Sequence, residues 1–200
     1  MQDQAIMSFR SRLFFAAPLH VRSVLEDRTL VPPEEFGTVK PGDWDRRRIP
    51  LRKNKKFRLI MGHLESGGDF LEPQEMFRFY RKRSRNEINL KMRYGMLREI
   101  YADIRKMGYL KLQAEVRPGL APGDENGGIV LHLDREGELV FSKHSFHRLA
   151  ISQFLALPVI PFCIGAVHAE CMQNGTHDQF LRRSAEMERR YWECRAKRPA

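Results

Sequence analysis

Ile129-Val130-Leu131-His132-Leu133 runs into Asp134-Arg135-Glu136-Gly137 and then into Glu138-Leu139-Val140-Phe141. Two short apolar runs around a polar tetrad ending in glycine predict a hairpin, with Gly137 where a positive φ is needed. After a polar loop, His147-Arg148-Leu149-Ala150-Ile151-Ser152-Gln153-Phe154-Leu155 has apolar residues around most of a helical circumference. It reads as a short, largely buried helix. Val159-Ile160-Pro161-Phe162-Cys163-Ile164 then reads as a strand, with Pro161 expected at an edge or a bulge because it has no N–H for a ladder. Hairpin, buried helix and strand in this order predict an α+β fold, a small mixed β-sheet packed by helices.

Working outward, Thr176 can cap a helix running to about Lys197, with Phe180, Ser184, Met187 and Tyr191 along one stripe. Upstream, Tyr109 to Val116 alternates and is expected to be a strand leading into a polar loop at 118–128. Before it, Ser84 and Glu87 form a capping box. Leu97, Ile100, Tyr101 and Ile104 fall on one buried stripe, and Gly108 ends that helix. Pro73 can open another helix through Met76, Phe77 and Tyr80, and Phe57 to Met61 alternates loosely enough to suggest a strand. Pro18, Pro32-Pro33, Gly37 and Pro41-Gly42 punctuate the first 45 residues into short strands and turns, closing at Gly42-Asp43-Trp44-Asp45. The organisation expected is core strands at 1–45, a basic and mostly helical insertion at 46–108, the core with His147-Arg148 at 109–168, and an amphipathic helix at 169–200.

The chain has 200 residues, 35 Lys and Arg against 25 Asp and Glu, and a formal net charge of +10. The excess is regional. Residues 46–106 hold 18 basic and 7 acidic side chains, and residues 181–200 hold 7 and 3. That asymmetry points to a polyanionic partner, with Arg47, Lys53 and Lys56 in the densest cluster. No apolar run reaches the roughly 18 residues of a membrane span, and a cytoplasmic protein is expected. Cys163, Cys171 and Cys194 contain no CxxC pair, so neither a disulfide framework nor a zinc site is expected, and nothing indicates haem.

The chemistry concentrates in Ser142-Lys143-His144-Ser145-Phe146-His147-Arg148, at the amino end of the buried helix. Free N–H groups and the helix dipole favour an anion there. Lys143, Ser145, His147 and Arg148 add donors and positive charge, and the planar fork of Arg148 suits a phosphate. An arginine in an apolar helix needs either an internal carboxylate, such as Asp134 or Glu136, or an anionic ligand. Residue types alone leave both open. Asp134, Glu136 and Glu138 are the carboxylates available for metal-binding or general-base work, although a water-facing turn accounts for them more simply. His132, His144, His147 and His168 match no metal-ligand spacing, and Asp43 and Asp45 beside Trp44 read as a turn with a packed aromatic.

Gly127-Gly128-Ile129, Asp134 to Gly137, His147-Arg148-Leu149-Ala150-Ile151, Leu155-Ala156-Leu157 and Ile160-Pro161 together resemble the ParB/sulfiredoxin-like superfamily. The resemblance covers about forty residues. It implies the fold just described, with a Gly-rich loop, a His-Arg helix start that binds nucleotide phosphates and a Leu-Gly-Leu-like turn. It implies a phosphate site at Arg148 and His147, to which the residue types add Lys143 and Ser145, and magnesium is expected to accompany a nucleoside triphosphate. Lys143 to Phe146 replace the loop glycines, and Phe146 stands where sulfiredoxins carry their catalytic cysteine. Two functions are therefore expected: a nucleotide-binding protein acting as an NTPase or small-molecule kinase, or a non-enzymatic binder of nucleic acid or another polyanion through residues 46–107.

Overall fold

The structure is a computed structural model that describes residues 9, 12–26, 35–67, 87–116, 128–142 and 144–197, with the side chains of 87–94, 96 and 114 outside that description. In chain order the strands are β1 (Leu13–Ala16), β2 (Ser23–Leu25), β3 (Thr38–Lys40), β4 (Arg48–Pro50), β5 (Val130–Leu133), β6 (Leu139–Phe141) and β7 (Ile160–His168). The helices are α1 (Lys55–Glu65), α2 (Glu87–Met107), α3 (Gln113–Val116), α4 (Phe146–Phe154), α5 (Ala169–Gln173) and α6 (Thr176–Ala196). The strands form one mixed sheet in the order β1-β7-β5-β6-β2-β4, with β3 pairing the far end of β7. Helices pack around it, so the α+β architecture is present.

The hairpin reads out as predicted. Leu131, His132 and Leu133 pair with Phe141, Val140 and Leu139, and Gly137 takes φ 79°. All nine residues of β7 are buried, which is why its sequence is apolar without alternation. Pro161 lies inside this strand rather than at an edge or a bulge, a correction with a clear cause. It pairs with Phe15, whose N–H turns away to Ser184 Oγ in α6 at 2.9 Å. On the other side, the bond from Cys163 N–H to Ile129 O, 3.0 Å, lies two residues further along. Pro161 thus occupies a step at which the β1 ladder requires no donor.

Two expected strands are not strands. Phe57 to Met61 belongs to α1, whose start is fixed by Asn54: its side chain accepts from the N–H groups of Lys56 (3.0 Å) and Phe57 (3.2 Å). The buried residues Phe57, Ile60 and Leu64 then follow helical spacing and pack α1 on α4. Tyr109 to Val116 is an irregular segment ending in α3. Tyr109 and Leu110 are both buried in succession, which a strand on one face cannot do, and Glu115 caps the turn by accepting from Leu112 N–H at 2.8 Å. Within 46–108 the described residues supply β4, α1 and α2, and β4 pairs with β2. Leu97 and Ile104 are buried on α2, and Gly108 ends it with φ 70°. The helix expected from Pro73 and the Ser84 cap lie outside the described residues. Among the described residues no helix is long and apolar enough to cross a membrane.

Ala156, just after α4, takes φ 48° while exposed. An L-residue there is strained by roughly 1–2 kcal/mol, against a chain-entropy cost of about 0.5–1 kcal/mol for glycine. Ala156→Gly is therefore expected to raise stability by about 0.5 kcal/mol in urea denaturation. A loss of stability would show that the turn is not left-handed.

Candidate functional site

The hairpin delivers the chain to the start of α4. Ser142 continues β6 by donating from N–H (3.3 Å) and Oγ (2.7 Å) to Val130 O. Lys143, one of the expected phosphate donors, lies outside the described residues. Ser145 is left-handed (φ 59°, ψ 44°), and its hydroxyl donates to Gly128 O at 2.8 Å. The loop therefore adopts at Ser145 a conformation that glycine favours, and its hydroxyl proton already has an acceptor. The N-cap residue Ser145 makes no side-chain cap bond to α4, while its carbonyl oxygen accepts from Leu149 N–H at 3.2 Å. Packing fixes the helix start instead. Phe146 is buried edge-on to Phe141, centroids 4.7 Å apart, and Lys56 Nζ reaches across from α1 to 4.9 Å above the Phe146 ring.

His147 and Arg148 occupy the first turn, both half-buried. Arg148 has a described acceptor that is not a carboxylate. With the Gln113 amide turned so that its oxygen faces the fork, it accepts from Nη1 at 2.6 Å and Nη2 at 3.0 Å. Gln113 is 1% exposed and is brought there by α3. Asp134 and Glu136, the internal carboxylates weighed for Arg148, are engaged elsewhere. Asp134 is fully buried, bonds Arg48, and accepts from the N–H groups of Glu136 (3.0 Å) and Glu138 (2.7 Å).

The structure thus gathers Lys56, Ser145, His147 and Arg148 around one helix start. It does not bring the carboxylate candidates there. Glu136 is exposed, 3.9 Å from Arg48, and Glu138 is exposed; both lie on the turn at the opposite end of β6. Arg47 and Lys53 are exposed, before β4 and before α1.

A second polar cluster went unread in the sequence. Asp45, 2% exposed, accepts from Arg135 Nε (2.9 Å), Nη2 (2.7 Å) and N–H (3.2 Å), while Arg135 also reaches Asp43 and Glu170. Burial raises the Asp45 carboxyl, but the hydrogen bonds from Arg135 and the charges of His168 and Arg135 outweigh it, bringing the pKa to about 2. His168 is fixed by Gly42 O (2.6 Å) and by accepting from Glu170 N–H (3.1 Å). Trp44 packs on both His132 and His168. The Gly42-Asp43-Trp44-Asp45 turn is therefore a clamp across the hairpin turn and the end of β7. Among the described residues no group of three His, Cys, Asp or Glu side chains is placed to hold a metal ion.

No family model, curated protein or solved structure matches the chain.

Proposed function

We propose that this chain binds the phosphates of a nucleoside triphosphate at the amino end of α4, as the ParB/sulfiredoxin-like resemblance implies. The observation that carries the reading is the Arg148 fork, met at both Nη atoms by the Gln113 amide in the first turn of a helix whose N-cap Ser145 makes no side-chain cap bond. The Gln113 amide orients the guanidinium, and the planar fork of an oriented arginine suits a phosphate. Lys56 adds a cation, and the left-handed Ala156 stands where the superfamily turn has glycine. Among the described residues Glu136 and Glu138 lie at the other end of β6, so a magnesium ion accompanying the nucleotide would be held by the triphosphate's own oxygens and water. NTP hydrolysis or transfer to a small hydroxylated acceptor is the activity this site would serve.

Thermal shifts with ATP, CTP, GTP and UTP, with and without magnesium, test the reading. One nucleotide at a hundredfold excess over its dissociation constant should stabilise the chain by about 2.7 kcal/mol. Arg148→Ala should abolish the shift. Gln113→Glu should abolish it too while preserving the fold, since a carboxylate would neutralise the fork from inside. A shift of unchanged size in Gln113→Glu refutes the site.

One observation favours a polyanion reading. The first turn of α1 holds no acid but carries Lys55 and Lys56 against the positive end of its dipole, an arrangement that an anionic partner relieves. Arg47, Arg52, Lys53, Lys55 and Arg58 are all exposed. If nucleic acid is the partner, affinity should fall steeply with salt, and charge reversal at Arg47 and Lys53 should lower both affinity and salt slope.

A further inference from the structure

A groove of about 450 Å3 opens between the amino-terminal strands, the β5–β6 turn and α6. Its floor is apolar, with Phe15, Leu139 and Phe180 buried and Met187 half-buried. Ser184 lies in the same floor, 6% exposed. Its Oγ accepts the Phe15 N–H, which leaves the hydroxyl proton to donate. Gly137 seats the turn on α6: a Cβ there would come within 3.3 Å of Thr176.

The rim carries Arg22 and Arg183 together with Glu138 and Glu186, all exposed. None of the four side chains is paired with another among the described residues, although opposite charges share one rim. A ligand of a single charge would meet two like charges on such a rim. A small polar ligand would leave the aromatic floor wet.

We infer that the groove binds a short apolar zwitterion: an amino acid with a large apolar side chain, or a dipeptide of such residues. The carboxylate faces Arg22 and Arg183, the ammonium faces Glu138 and Glu186, and the side chain lies on the floor. The volume is in the range of small-ligand sites. Nothing in this assignment depends on the phosphate site.

Calorimetric titration of the full chain with phenylalanine, phenylalanyl-leucine, N-acetyl-phenylalanine, phenylalanine amide and serine tests it. At least one of the two apolar zwitterions should bind, and a dipeptide preference would assign the longer ligand. Each singly capped form should bind about tenfold more weakly, as should the apolar zwitterion to Arg183→Gln or Glu138→Gln. Both variants should keep the wild-type Tm, because neither side chain is paired among the described residues. Absence of binding, equal binding of capped forms or of serine, or wild-type affinity in both variants would each overturn the assignment.

Discussion

Lowering the pH from 7 to 4 is expected to destabilise the fold by about 3 kcal/mol, chiefly through His132. This side chain is 1% exposed, and neither ring nitrogen has a hydrogen-bond partner among the described residues. Trp44 lies across it at 5.4 Å, and Gly165 on β7 approaches so closely that a Cβ there would come within 2.7 Å of Cε1. Burial, then the charges of His144 and Lys40, lower its pKa from 6.5 to about 3. Below pH 6.5 the unfolded chain takes up a proton that the folded chain refuses. The contribution is therefore complete above that pH and is lost progressively towards pH 3. His144, also lowered by burial, acts in the same direction. Asp45, with its pKa brought from 3.8 to about 2, loses its contribution only below this window, so the two are separable. Urea denaturation of wild type and His132→Gln at pH 7, 6, 5 and 4 provides the check. A flat wild-type profile refutes the prediction, and an equally steep His132→Gln profile assigns the loss to another group.

Tyr191→Ala is expected to cost about 4 kcal/mol, and Tyr191→Phe about 1 kcal/mol. Tyr191 is fully buried on α6, against Phe15 at 5.1 Å and edge-on to Tyr109 at 5.9 Å, with its hydroxyl donating to Leu110 O at 2.8 Å. Truncation opens a cavity where β1, the segment before α3 and α6 meet, and it also removes the donor from Leu110 O. The phenylalanine variant removes the donor alone. Urea midpoints and slopes for the two variants measure the difference. A loss below about 1.5 kcal/mol for Tyr191→Ala would mean that α6 is not docked through this residue.

Those residues also show what could be read in advance. Phe180, Ser184, Met187 and Tyr191 announce α6 by spacing, and Asp134 to Gly137 announces its turn, because both signals are local. Asn54 was an available cap signal for α1, yet the alternation of Phe57, Leu59 and Met61 competed with it. The irregular path of Tyr109 and Leu110 follows from burial against Tyr191, some 80 residues later, which no window around residue 110 contains. The same holds at the site. His147 and Arg148 stand where the sequence placed them, at a helix start. Gln113 as the partner of the fork had no local signature, nor did Arg135 on Asp45, because each joins side chains from separate elements. Arg22, Ser184 and Arg183 gain meaning only once β1 and α6 are packed together.

β7 is the common partner of β1, β3 and β5, and its first residue is Ile160. During synthesis at about 5–20 residues per second, the amino-terminal strands would wait roughly 5–20 seconds between the appearance of β4 and that of β7. Until then β1 and β3 have no ladder to join, and β2 can pair only with β4 before β6 emerges. A nascent or truncated chain ending before Ile160 therefore presents open apolar strand edges, the form most exposed to aggregation and to chaperone capture. Expression yield should accordingly depend more on completing β7 than on any side chain at the start of α4.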